Sequence, residues 1–201
     1  MDQHTRLRWR QIAAAGHTGD IDSASVALHD ADPTTRLLAL GALQRLGRLD
    51  DAQLQAAFTD TDPGVRRRAV DLAATRPSLD LIGPLHDDDP SVVEHAAWAC
   101  GEHVSVSDAV LHRLIHLAGA SPAALVRESA VAALGAIGDE RGLPAVLAGC
   151  ADAPAIRRRA VLALAPFEGP EVEAAIDEAL TDRDWQVRQA ADDLRRVASG
   201  D

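Results

Sequence analysis

Adjacent carboxylate and imidazole groups at Glu94 and His95, with an indole three residues on at Trp98, form one grouping in this sequence with chemical potential. Such a set can ligate a metal if other elements bring more ligands, or it can hold a charged partner against an aromatic face. Asp108, His112 and His116 recur at i+4 intervals, so on a helix they share a face and have the spacing of a metal clip. Two arginine doublets, Arg67-Arg68 and Arg158-Arg159, could contact phosphates. Cys100 and Cys150 lie far apart in no metal-like spacing, and no nucleophile elbow, phosphate loop or cysteine-histidine pair is present. What these groups do depends on the elements that present them.

The clearest element is Val126 to Asp139, V-R-E-S-A-V-A-A-L-G-A-I-G-D. Val126, Ala130, Ala133, Leu134 and Ile137 make one apolar stripe at helical spacing, and Gly135 and Gly138 are expected to end the helix. Weaker copies align on Leu7, Thr35, Val65, Val92, Ile156 and Val187, spaced by 27 to 34 residues. Arg follows the anchor at Arg8, Arg36, Arg66, Arg127, Arg157 and Arg188, and only Val93 departs. Asp32, Asp62, Asp89 and Asp184 stand three residues before an anchor, and Pro33, Pro63, Pro90 and Pro154 follow at the next position, a pairing that caps a helix and supplies its first residue. Between these helices the sequence predicts partner helices over Ile21 to His29, Asp51 to Phe58, Ser78 to Leu85, Ser107 to Ala118, Leu143 to Cys150 and Pro170 to Leu180. Gly83-Pro84 leaves the third of them the poorest.

This pattern resembles the HEAT-like repeats in the short form of bacterial and archaeal proteins. The resemblance implies an all-α, right-handed α-α superhelix of about six helix pairs plus an N-terminal capping helix. The first helix of each pair (A) packs behind the second (B), which carries the anchor and lines the concave side. Elementary packing agrees, because one thirty-residue helix pair cannot bury its own apolar stripe without neighbours. Residues 1–201 are expected to form a single repeat domain. Deoxyhypusine hydroxylases of this family hold two irons with His-Glu doublets on B helices; here only Glu94-His95 resembles one, and its order is reversed, so no metal site is expected. Asp108, His112 and His116 fall on an A helix, on the convex side, where nothing converges on them. The family also includes DNA glycosylases with aromatic, acidic and basic concave residues, which Trp98, Asp71, Glu94 and the arginine pairs imitate, and bilin lyases, for which no pigment pocket is evident.

Composition narrows the choice. Apolar residues are 47% and aromatics 2%, which suits closely stacked, alanine-rich helices. Every basic side chain is Arg, and the formal net charge of −11 argues against a general nucleic-acid-binding surface. No charged-then-apolar leader opens the chain and no apolar run is long enough to span a bilayer, so a cytoplasmic, soluble protein with buried free thiols is expected. The Arg after each anchor and the Asp before each Pro are expected to pair across repeats and so to be structural. Helix geometry turns the two residues after that Arg, and the one six after the anchor, outward. The predicted partner-binding row is Arg67, Arg68, Asp71, Glu94, His95, Trp98, Glu128, Arg158 and Arg159. With no catalytic set and no cofactor motif, the sequence points to a non-catalytic module that binds a protein or peptide. Trp9, with Arg6 and Arg10, is expected to belong to an N-terminal cap, the alternative being a contact with another molecule.

Overall fold

A computed structural model describes residues 3–103 and 105–199. Twelve α-helices and two short 3-10 turns account for their regular structure, and the described residues contain no strand. The anchor-bearing B helices are α1 (Gln3–Thr18), α3 (Pro33–Arg45), α5 (Pro63–Ala73), α6 (Pro90–Gly101), α8 (Ala124–Ile137), α10 (Pro154–Ala163) and α12 (Trp185–Ser199). Each packs on the next in that order. The A helices are α2 (Ile21–Ala27), α4 (Asp51–Ala57), α7 (Asp108–Ala120), α9 (Leu143–Gly149) and α11 (Pro170–Ala179), each against its own B helix. The chain is therefore an all-α solenoid. One contiguous set of buried apolar residues runs through it from Ala15 to Ala191.

The six anchors from Thr35 to Val187 are all but completely buried, whereas Leu7 on the first helix is 54% exposed because no repeat precedes it among the described residues. A threonine is tolerated at the fully buried anchor 35 because its hydroxyl donates to the Asp32 carboxylate at 2.7 Å. Asp32, Asp62 and Asp89 cap their helices as expected, each accepting backbone N–H groups of the first turn with proline at the first helical position. Asp184 likewise accepts from the Gln186 N–H. Trp9 is half-buried and donates its indole N–H to Asp32 at 2.6 Å, so it fastens the first helix to the next repeat.

Three expectations need correction. Residues 78–85 form no α-helix; a 3-10 turn at Pro84–His86 stands where the A helix was expected. Pro84 has no N–H to donate to a helical ladder and Gly83 before it is a poor helix former, yet Leu79, Leu81 and Leu85 still bury their side chains in the core. Arg76 fastens this segment by donating to Asp51, to the Gln44 side chain and to the Leu49 carbonyl. Second, Gly135 lies inside α8 and does not end it. Gly138 does, in the left-handed conformation (φ 68°) that glycine adopts without strain.

The third correction concerns the arginine ladder. Of the six Arg after an anchor, Arg188 on the last described helix donates to the Asp182 and Arg183 carbonyls of its own loop. The other five do pair with an aspartate of the next repeat, but not with the helix-capping one. The partner sits in the loop just ahead of the cap: Arg8 with Asp30, Arg36 with Asp60, Arg66 with Asp87, Arg127 with Asp152 and Arg157 with Asp182. From Arg36 onward the contacts are two-pronged, at 2.5–3.0 Å. The same guanidinium also donates to a carbonyl of its own loop, for instance Arg66 to Asp60 O and Arg157 to Asp152 O. The loop aspartate also accepts a backbone N–H at the start of the next helix, so its carboxylate joins the guanidinium to that loop and is fixed from both sides. Where Val93 replaces the arginine, Ser121 occupies the corresponding loop position of the next repeat, so the exception leaves no charge behind.

Cys100 is buried and Cys150 half-buried, so the thiols are less alike than expected. Burial, helped by nearby carboxylates, pushes Cys100 up to about 12 and Cys150 up to about 11. An aromatic disulfide reagent at about pH 8 should therefore label both slowly, Cys150 ahead of Cys100, until the protein unfolds. Prompt reaction of Cys100 in the folded state would contradict the packing of α6 described above.

Candidate functional site

The α6–α8 junction, where the ladder is interrupted, also carries the main surface hollow among the predicted residues. Residues on a helix return to one face every third or fourth position, so Glu94, Trp98, Gly101 and Glu102 line up along α6. From α8 come Leu125, Glu128, Ser129, Ala132, Ala133 and Ala136, and from α10 comes Arg159. Together they enclose about 470 Å³. The space exists because the facing positions are small: a Cβ on Gly101 would lie 3.1 Å from the Ala133 Cα, and alanine fills the opposite wall. Trp98, 44% exposed, stands between this hollow and a second one of about 310 Å³ lined by Asp71, Glu94, His95 and Ser129.

The two hollows differ electrostatically. In the smaller, the His95 imidazole Nδ1 is 2.5 Å from the Asp71 carboxylate of the preceding B helix, so that pair is committed to bridging α5 and α6. In the larger, three carboxylates at Glu94, Glu102 and Glu128 face a single guanidinium. Arg159 lies 3.7 Å from Glu128, far looser than the ladder pairs, while Glu94 and Glu102 have no ion-pair partner among the described residues.

Six of the nine predicted residues thus converge: Asp71, Glu94, His95, Trp98, Glu128 and Arg159. Arg67, Arg68 and Arg158 do not line either hollow. Arg67 is exposed on α5. The Arg68 guanidinium extends toward Gly41 of the preceding B helix, 3.6 Å from where a Cβ would stand. Arg158 has its Nε buried without a hydrogen-bond partner. A long side chain set on the outward face is free to lie along a neighbouring helix, which helical periodicity does not register. Two other members of the outward row, Gly41 and Ala190, are buried. Glu102 and the exposed Leu125 escaped the sequence reading; the i+4 step from Trp98 to Glu102 was the signal available for the first.

The suspected metal groupings have other engagements. Asp108 accepts from Arg141 at 2.9 Å, and the His116 Nδ1 lies 3.3 Å from the Arg113 guanidinium. Among the described residues no three histidine, cysteine, aspartate or glutamate side chains are grouped to hold an ion. No helix of the described residues is long and apolar enough to cross a membrane.

The family model for HEAT repeats matches residues 52–134 and 78–165, together more than half of the chain. Among curated proteins no sequence matches. Among solved structures, a crystal structure of an engineered protein superposes with a TM-score of 0.64 at 20% identity, covering 90% of this chain and 97% of that one. A designed armadillo repeat protein gives 0.59 at 15%, covering 87% and 98%. Human deoxyhypusine hydroxylase in complex with glycerol gives 0.50 at 18%, covering 100% and 82%. At these identities the likeness is one of fold.

Proposed function

The chain belongs to the HEAT repeat family, and from that premise we propose that it is a non-catalytic interaction scaffold that binds a protein or peptide segment on its concave, B-helix side. The contact centres on Trp98, with Glu94, His95 and Glu128 around it and Arg159 at its edge. The 201 residues act in the cytoplasm as one continuous array. The observation that supports this reading is the placement of Trp98, a large aromatic left partly wet between two hollows at the α6–α8 junction. A half-exposed indole with free space on both sides has apolar area still to bury, and tryptophan anchors of this kind dominate protein interfaces. Bulk electrostatics favour a protein partner over nucleic acid, since the arginines that follow the anchors are consumed by the ladder and the net charge is −11.

The test begins with peptides selected from a random displayed library on the folded protein. For a peptide that binds the B-helix row, Trp98→Ala should weaken binding by about 2 kcal/mol or more, roughly thirtyfold in Kd, without altering helicity. Retention of full affinity would remove Trp98 from the contact. Tight binding of duplex DNA near physiological salt, lost in an Arg158→Ala, Arg159→Ala double variant, would replace the protein-scaffold reading with a nucleic-acid one.

A further inference from the structure

We propose that the larger hollow at the α6–α8 junction is a receptor for a cationic side chain, an arginine or lysine presented by an extended peptide; this rests on the interaction-scaffold reading above and specifies its partner. Four features of the hollow converge on that chemistry. Trp98, which lines the hollow and is 44% exposed, is the most electron-rich of the aromatic side chains, and a cation over its ring is attracted by the ring quadrupole. Glu94 and Glu102 stand one helical turn to either side of it along α6, and neither has an ion-pair partner among the described residues. Glu128 adds a third carboxylate from the opposite wall, countered only by Arg159 at 3.7 Å. Finally, the floor between these charges is apolar and shallow in side-chain volume, formed by Gly101, Ala132, Ala133 and Ala136. It suits the methylene stem of a long basic residue, whose charged head would reach the carboxylates.

The alternatives fit less well. An anion would meet three carboxylates and one arginine already engaged with one of them. A purely apolar side chain would cover Glu94 and Glu102 without pairing them, and desolvating an unpaired carboxylate opposes binding. The contrast with the rest of the array strengthens the case. At the four junctions that pair Arg36, Arg66, Arg127 and Arg157, a guanidinium from one repeat is clamped two-pronged by the next repeat's aspartate. The α6–α8 junction has Val93 and Ser121 in those roles, and instead presents its acidic groups to an outside cation.

The experiment uses the full chain labelled with ¹⁵N. The indole N–H signals of Trp9, Trp98 and Trp185 are resolved, and that of Trp98 is identified by its loss in Trp98→Phe. Three blocked peptides are titrated: alternating glycine-arginine, the same with citrulline for arginine, and alternating glycine-glutamate. The arginine peptide should shift the Trp98 signal saturably, leave Trp9 and Trp185 in place, and weaken as salt is added. The citrulline peptide, which keeps the shape and loses the charge, should bind at least about tenfold more weakly. Glu94→Gln combined with Glu102→Gln should cost the arginine peptide at least about tenfold while preserving the circular dichroism and melting of the parent. Equal binding of the citrulline peptide, indifference to the glutamate changes, or preference for the glutamate peptide would each overturn the proposal. If a library-selected peptide without arginine or lysine binds through Trp98, the scaffold reading stands and the cationic one falls. If no peptide, selected or designed, moves the Trp98 signal, both fall.

Discussion

Gly135→Ala should lower the unfolding free energy by about 2 kcal/mol, in a helix interior where the same change ordinarily stabilises. The reason is the closeness of α8 to α10. A Cβ on Gly135 would fall 2.5 Å from the Ala163 Cβ, 2.6 Å from its Cα and 2.8 Å from its carbonyl oxygen. Two of those atoms are backbone, so no rotamer change relieves the overlap and α10 must move as a body. Glycine recurs in this role. Gly16 and Gly101 occupy the equivalent position of their helices, where an added Cβ would fall 2.9 Å from the Ala42 Cα and 3.1 Å from the Ala133 Cα. The control is Gly119 near the end of α7, whose added Cβ would meet nothing within 4 Å. There Gly119→Ala should gain up to about 0.5–1 kcal/mol through reduced backbone entropy of the unfolded chain. Urea midpoints of the two variants should move in opposite directions from the parent; a midpoint for Gly135→Ala at or above that of the parent would show that α8 and α10 are not packed this closely.

Arg66→Met should cost about 3 kcal/mol near neutral pH, because it leaves Asp87 without its counter-charge while both side chains are largely buried. The exposed guanidinium of Arg141, which pairs with Asp139 and Asp108 at the surface, provides the contrast, and its removal should scarcely move the urea midpoint. The ladder also sets the response to acid. Burial alone would raise Asp60 and Asp87, but arginine hydrogen bonds and a backbone N–H outweigh it and hold both below the ordinary value of 3.8. Hydrogen bonds from Arg127 and Arg157 lower Asp152 and Asp182 in the same direction. A carboxyl lowered in the folded state contributes stability that is complete above its unfolded value and is lost as pH falls through the folded one. The ladder's contribution should therefore hold from neutral pH down to about 4 and disappear below it. Far-UV circular dichroism during acid titration should show the helices melting only below that point, and the penalty of Arg66→Met, measured by urea at successive pH values, should shrink over the same range. A penalty independent of pH would mean that the arginine acts by packing and not by charge.

Periodicity carried much of this protein by itself. The anchors at Thr35, Val65, Val92, Val126, Ile156 and Val187 are buried as their spacing required, and the Asp-Pro pairs cap the helices they precede. These are local or face-level properties: a helix must put every third or fourth residue on one side, and a carboxylate two or three residues ahead can reach only its own first turn. The outward position of Glu94, His95, Trp98 and Glu128 follows from the same rule, which is why most of the candidate site is legible in the sequence. Tertiary structure decided the matters that depend on the gap between helices. Whether Gly135 is a terminator or a contact point depends on how near α10 comes, and the sequence of α8 does not contain that distance. Which aspartate receives each arginine depends on where a loop of the next repeat, 21 to 25 residues away, places its carboxylate. Residues 78–86 kept their buried leucines without the expected helix, since burial constrains the side chains and leaves the backbone several ways to deliver them. The hollow beside Trp98, and the enrolment of Glu102 and Leu125 in it, exist only because Gly101 and the alanines of α8 leave the space between two helices unfilled, a volume that belongs to the pair and to neither helix alone.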